Sequence, residues 1–178
     1  GNGYKDNGLF GQLVKDLNGN RDEIKNLIIE NVQITGDGTD DGGGVIASAN
    51  LGGIISNVHV TGNVQIQFPD SGPSTWSVGG LVGRNASLIE GCTFDGNVLG
   101  VYNVGGIAGL NEGTIRNSRS YGIVSGRKGS GGIVGVQLKS GVMENNRSLA
   151  TAFASQYSGE LVGLLCNSDD YSRCGITK

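Results

Sequence analysis

A short unit, Gly-Gly-apolar-apolar-Gly, recurs along this chain and constrains its fold more than any other feature. It is clearest at Gly79-Gly80-Leu81-Val82-Gly83, at Gly105-Gly106-Ile107-Ala108-Gly109 and at Gly131-Gly132-Ile133-Val134-Gly135. The closing glycines Gly83, Gly109 and Gly135 are 26 residues apart, and Gly163 follows 28 residues later. Earlier in the chain, Gly11 and Ala47 occupy the same place at intervals of 36. A second landmark is an apolar residue shortly before an Asn or Gly: Ile29, Ile55, Ile89, Ile115 and Met143. The two landmarks are 6 residues apart in the middle repeats and 8 in two others, so the irregularity reduces to two insertions, near 12–24 and 67–77. Self-similarity with a period of this length is the mark of a stacked-repeat architecture.

Within each repeat the residues alternate. From Val58 to Phe68 the even positions are apolar or Gly and the odd ones polar, the period of a strand with one buried face. That face continues in Val32 and Ile34, in Cys92, Phe94 and Val98, and in smaller form in Ser118, Ser120 and Val124, then Ser148, Ala150 and Ala152. The opposite face carries Gln33, His59, Thr93, Arg119 and Arg147. Two or three short strands in 26 residues leave no room for a crossover helix, and no repeat can bury its apolar face alone. Successive repeats must therefore stack with equivalent strands side by side, about 4.8 Å apart. The expected fold is all-β: one parallel β-solenoid domain over 1–178, with about six coils starting near 8, 44, 79, 105, 131 and 159. Leu81, Ile107 and Ile133 should form one column. Gly on both sides of Leu81-Val82 should let the opposing wall approach closely. Asn57, Asn117 and Asn145, with Gly91 replacing Asn once, mark a repeated turn at which amide side chains can bond along the axis. The first insertion is open between a short helix and a lateral loop.

Composition agrees with order of this kind. The chain has 34 Gly but 2 Pro, and charged residues make up 16%. A net charge of -3 and the lack of a dense basic patch argue against nucleic acid as a partner. Arg116, Arg119, Arg127 and Lys128 come nearest to one. No apolar run is long enough to span a membrane. Three Cys are too few for a disulfide framework. Cys166 and Cys174 are near enough to close a loop in an oxidising compartment, and Cys92 reads as a small core residue.

Gly79-Gly80-Leu81-Val82-Gly83, the stretch from Gly105 to Ser118 and the ending Tyr121-Gly122-Ile123-Val124-Ser125-Gly126 together resemble the GLUG repeat. Gly8-Leu9-Phe10-Gly11 resembles a divergent first copy, and the pattern lapses after Leu161. The resemblance implies a segment of a large bacterial surface or secreted protein, with adjoining domains. Adhesin-like proteins carry such repeats, as do IgA-cleaving zinc metallopeptidases, outside their catalytic domain. The repeat has no catalytic residues to carry over.

The residues themselves offer little chemistry. A zinc peptidase needs two His one turn apart on a helix, and this chain has only His59. A glycosidase needs two facing carboxyls. The matched outward positions Thr35, Thr61, Asp95, Tyr121 and Leu149 hold one acid. Asp37, Asp40 and Asp41 suggest a calcium loop by composition but match neither the EF-hand nor the nonapeptide spacing. No cofactor is expected. Two surfaces are candidates for a ligand: the insertion bearing Phe68 and Trp76, and the row of His59, Arg119, Tyr121 and Arg147. The expected function is non-catalytic adhesion, ligand display or spacing at the cell surface, with a host protein or glycan as ligand. The alternatives are an accessory segment of a secreted metallopeptidase and a polysaccharide-cleaving or polysaccharide-binding β-helix.

Overall fold

The computed structural model describes residues 7–36, 42–67 and 77–174. The chain winds into a parallel β-solenoid of about six coils. Every strand pairs in parallel with its equivalents in the neighbouring coils, so the strands fall into five columns. Column A is a six-stranded sheet of Phe10–Leu13, Ala47–Asn50, Val82–Asn85, Ala108–Asn111, Val134–Gln137 and Val162–Leu165. The other columns belong to one larger sheet. Column B contains Leu88–Glu90, Thr114–Arg116 and Val142–Glu144. The strands Glu23–Glu30 and Ile54–Thr61 run through B into column C, where Thr93–Leu99 and Arg147–Ser148 also lie. Gln33–Thr35 and Gln65–Gln67 begin column D. Column E holds Gly42–Gly43, Ser77–Gly79 and Tyr102–Gly105. Arg119–Gly131 crosses C, D and E in one strand, and Thr151–Gly159 crosses D and E.

The interior is a stack of matched side chains. Leu81 donates its backbone N–H to the Ile107 carbonyl at 3.0 Å, and Ile107 to that of Ile133 at 2.9 Å. All three side chains are fully buried, as are Ile55, Ile89 and Ile115 in column B. The alternating face expected from sequence is inward: Val58, Val60, Ile66, Cys92, Phe94, Val98 and Val124 are all buried. The doubled glycines bring the walls together. A Cβ on Gly80 would run into the Phe94 ring, one on Gly106 would lie 2.8 Å from Ser120 Cβ, and one on Gly132 would lie 2.7 Å from Ser148 Cβ. Where Ser replaces an apolar residue inside, its hydroxyl serves the backbone. Ser120 donates to the Gly132 carbonyl, and Ser118 donates to the Arg116 carbonyl at 3.0 Å while accepting from Cys92 N–H at 3.1 Å.

Two register assignments differ from the sequence reading. In the first coil it is Ile24, not Ile29, that pairs with Ile55; Ile29 pairs with Val60. The first, second and fourth coils bend twice, five residues apart, in the left-handed region that favours Gly and Asn, whereas the third and fifth have a positive φ only at the first of these positions, Gly91 and Asn145. The bends are Asn57 and Gly62 in the second coil, and Asn117 and Gly122 in the fourth. The first coil uses Asn at both, Asn26 (φ 55°) and Asn31 (φ 57°), each preceded by Ile two residues earlier. Periodicity alone offers either as the landmark. In the second coil the residue at the closing-glycine position is Ser48, not Ala47. Ala47 pairs with Val82, and the Ser48 hydroxyl donates to the Gly11 carbonyl at 2.8 Å.

The first insertion is a lateral loop. Lys15 and Arg21 form an antiparallel bridge closed by a turn at Gly19 (φ 91°), and Arg21 Nη1 reaches Ser87 Oγ at 3.2 Å. The second insertion lies largely outside the described residues, as do Phe68, Trp76, Asp37, Asp40 and Asp41. Among the described residues, no helix is long and apolar enough to cross a membrane.

Sequence placed the amide stacking at the outer bend. There Asn57 Nδ2 donates to Asn26 Oδ1 at 2.8 Å, but Gly91 interrupts the row. The continuous amide row is interior, at the last residue of column A. Asn50 donates to Asn85 at 2.9 Å, Asn85 to Asn111 at 2.8 Å and Asn111 to Gln137 at 2.9 Å. These are buried amides, which need partners. The row stops where the first and last coils place Leu13 and Leu165, and Asn50 Oδ1 is without a partner among the described residues.

Two stability measurements follow. Ile107→Asp should cost roughly 4 kcal/mol or more, because it buries an unpaired charge. Ile123→Asp, at an exposed position, should barely move the melting curve; equal effects would contradict the inward and outward assignment. Asn111→Ala should cost about 1–3 kcal/mol by orphaning the amides above and below it. Chemical denaturation gives both values.

Candidate ligand-binding face

The outward side of columns C and D is a flat parallel sheet of exposed and half-buried side chains. Its first row runs Ile28, His59, Thr93, Arg119 and Arg147. Gln33 does not belong to it, being displaced by the same five residues as Ile29. It lies two rows on, with Gln65, Asn97, Ile123 and Thr151. Between these rows lies one that begins with Glu30 beside Thr61 and contains Asp95 beside Tyr121, with Leu149 following. Glu30 thus takes the place given to Thr35 from sequence, and this row has two acids. They are not on adjacent coils, since Thr61 lies on the coil between them.

Neighbouring coils place Arg119 and Arg147 directly side by side, one strand spacing apart. Like charges so close repel unless a counter-charge intervenes. Arg84, Arg116 and Arg173 have one. Arg116 Nη2 is 2.9 Å from Glu90 Oε2, and Arg84 Nε donates to Glu112 Oε1 at 2.7 Å. Through its hydrogen bond, Arg116 holds the Glu90 carboxyl below the ordinary range. Among the described residues, neither Arg119 nor Arg147 has an ion-pair or side-chain hydrogen-bond partner. Tyr121 and the exposed Leu149 supply apolar surface in the next row.

His59 is tied to the scaffold rather than presented as a catalyst. It is half-buried, and its Nε2 lies 3.0 Å from the Oδ1 of Asn57. Cys92 faces the opposite way, fully inside the core, and burial pushes its thiol up to about 11. A thiol so buried and protonated is a poor nucleophile. Among the described residues, no three His, Cys, Asp or Glu side chains are grouped to hold a metal ion.

A second feature is the Cys-bearing tail, where the repeat pattern has lapsed. It lies along the flank of the ladder. Cys166 and Cys174 are disulfide-bonded, and the short 3₁₀ turn Tyr171–Arg173 sits between them. The tail covers Leu110, Val136 and Leu138, which belong to the fourth and fifth coils. The Tyr171 hydroxyl donates to Asn103 Oδ1 at 2.9 Å and accepts from its Nδ2 at 2.7 Å. The sequence signal was the apolar pair Leu110 and Val136 where the third coil has the charged Arg84.

Burial raises the Tyr171 phenol above its ordinary value, with the Asn103 hydrogen bond acting against it. The neutral phenol therefore adds stability that is complete below about pH 10. That stability is lost as pH rises through the folded value. Thermal melts between about pH 9 and 12 should show a decline that Tyr171→Phe flattens. An equal decline in both proteins would assign it elsewhere.

The family model of the GLUG motif matches residues 74–99. Neither a curated protein nor a solved structure matches the chain. The matched stretch supplies the third coil's strands from Ser77–Gly79 to Thr93–Leu99, and the following coils repeat those strands in register, as a GLUG-motif repeat region would.

Proposed function

We propose that this chain is a non-catalytic extracellular binding and display module. On this reading the solenoid is a stiff support, and its outward C–D face meets an extended acidic ligand, such as a uronate- or sulfate-bearing glycan of a host surface. One observation carries the reading: Arg119 and Arg147 stand on adjacent coils without a carboxylate among the described residues to neutralise them. Two guanidinium forks on a rigid sheet can each accept a bidentate anion. Tyr121 and Leu149, one row away, offer a surface against which a sugar ring can lie. Rows of this kind on a solenoid suit a linear ligand because the support repeats at the spacing of the strands. The disulfide between Cys166 and Cys174 supports an oxidising location.

The test is binding to an array of neutral, uronate-bearing and sulfated glycans, followed by titration of the best ligand at two salt concentrations. Binding should prefer the charged glycans and weaken with salt. Arg119→Ala with Arg147→Ala should reduce affinity at least about tenfold, on the scale of two exposed charge contacts. Unchanged binding by this double variant, or no preference for acidic glycans, would overturn the reading.

A further inference from the structure

The segment closed by Cys166 and Cys174 runs across the coils instead of adding a rung to them. Cys166 N–H donates to the Gln137 carbonyl at 2.8 Å. At the turn after that strand, Lys139 N–H reaches the Ser168 carbonyl at 3.4 Å and Ser140 N–H donates to Asp169 Oδ1 at 2.6 Å. The segment then carries Tyr171 to Asn103, near the end of the third coil. What it covers is the outward row of column A. There Arg84, Leu110, Val136 and Leu164 lie side by side on successive coils. Arg84 is exposed, as an outward position should be, whereas Leu110 is 8% exposed and Val136 is fully buried. Cys166, Tyr171 and Cys174 pack on this row together with Leu138.

We propose that the segment is a redox-released strap: the Cys166–Cys174 bond holds it on the flank, and reduction by a dithiol frees it and uncovers the row from Leu110 to Leu164. Past Leu165 its regular structure among the described residues is the 3₁₀ turn Tyr171–Arg173. Docking it therefore costs conformational entropy with no ladder of backbone bonds in return. A cross-link between residues eight apart removes part of that freedom in advance. The two sulfurs are unequally shielded, since Cys166 is buried and Cys174 is half-buried. A thiolate of the dithiol attacks the Cys174 sulfur, and the Cys166 sulfur leaves and takes up a proton. The second thiol of the reductant then displaces Cys174 from the mixed disulfide. Two electrons and two protons pass to the cysteines, and the reductant becomes a cyclic disulfide. The coils take no part in this exchange. Their strands are held by their own parallel pairing, and the free Cys92 lies inside the ladder.

The strap is read by the fluorescence of anilinonaphthalene sulfonate, a dye for apolar surface, and by chymotrypsin cleavage after Tyr171, scored by mass. Circular dichroism reads the ladder. Dithiothreitol should raise the dye's fluorescence, and its removal in air should reverse the rise. The variant Cys166→Ser with Cys174→Ser, which needs no reductant, should be cut after Tyr171 at least about tenfold faster than the disulfide-bonded protein. The β-sheet dichroism should be the same in all three states. Dye fluorescence and cleavage that ignore the disulfide would show that packing alone holds the segment, and would overturn the proposal. Loss of the β-sheet dichroism on reduction would also overturn it, because the bond would then support the ladder and not a strap.

Discussion

The parallel register between coils is the constraint on which everything else rests. A strand of three or four residues has too little apolar surface and too many polar backbone groups to persist alone. Here each strand finds a partner of the same kind one coil away, so the Leu81 N–H and the Ile107 carbonyl are paired while their side chains share one column. The same register brings Asn85 between Asn50 and Asn111, turning three buried amides into a bonded row. A slip by one residue would orphan that row and turn the core outward together.

Close approach of the walls sets the second condition. Gly80, Gly106 and Gly132 remove side chains where Phe94, Ser120 and Ser148 point inward. The large ring of Phe94 fills its own coil, while the serines in later coils keep the walls close and donate to the Arg116 and Gly132 carbonyls. This explains how a chain with so few aromatic residues has a closely packed interior: short side chains and glycine bring the walls to contact distance.

The surface follows from the same geometry. Because the ladder repeats every coil, a side chain outside the core belongs to a row whose neighbours are fixed. Pairs such as Arg116 with Glu90 neutralise one row, whereas Arg119 and Arg147 leave another with an unbalanced positive charge. A stiff face with such a row is well suited to recognition, because little conformational entropy is lost when an extended ligand lies on it. The flanking tail, held by Cys166–Cys174 and Tyr171, covers apolar positions that the repeat does not itself require.

The architecture was legible from the residues, because Gly, apolar and Asn positions recur at 26-residue spacing and only stacking buries their shared face. The inward identity of Cys92 and Phe94, and the pairing of Arg119 with Arg147 on one row, follow from the same counting. Counting failed where two positions satisfied the pattern equally. Ile24 and Ile29 both precede an Asn able to take the left-handed bend, and only their partners in the second coil, Ile55 and Val60, choose between them. Ala47 and Ser48 posed the same problem, resolved by Val82 and Gly11. The route of the tail was also a tertiary decision. Its disulfide has no period, and its place depends on Leu110 and Val136 needing cover, a property of the assembled coils rather than of any one repeat.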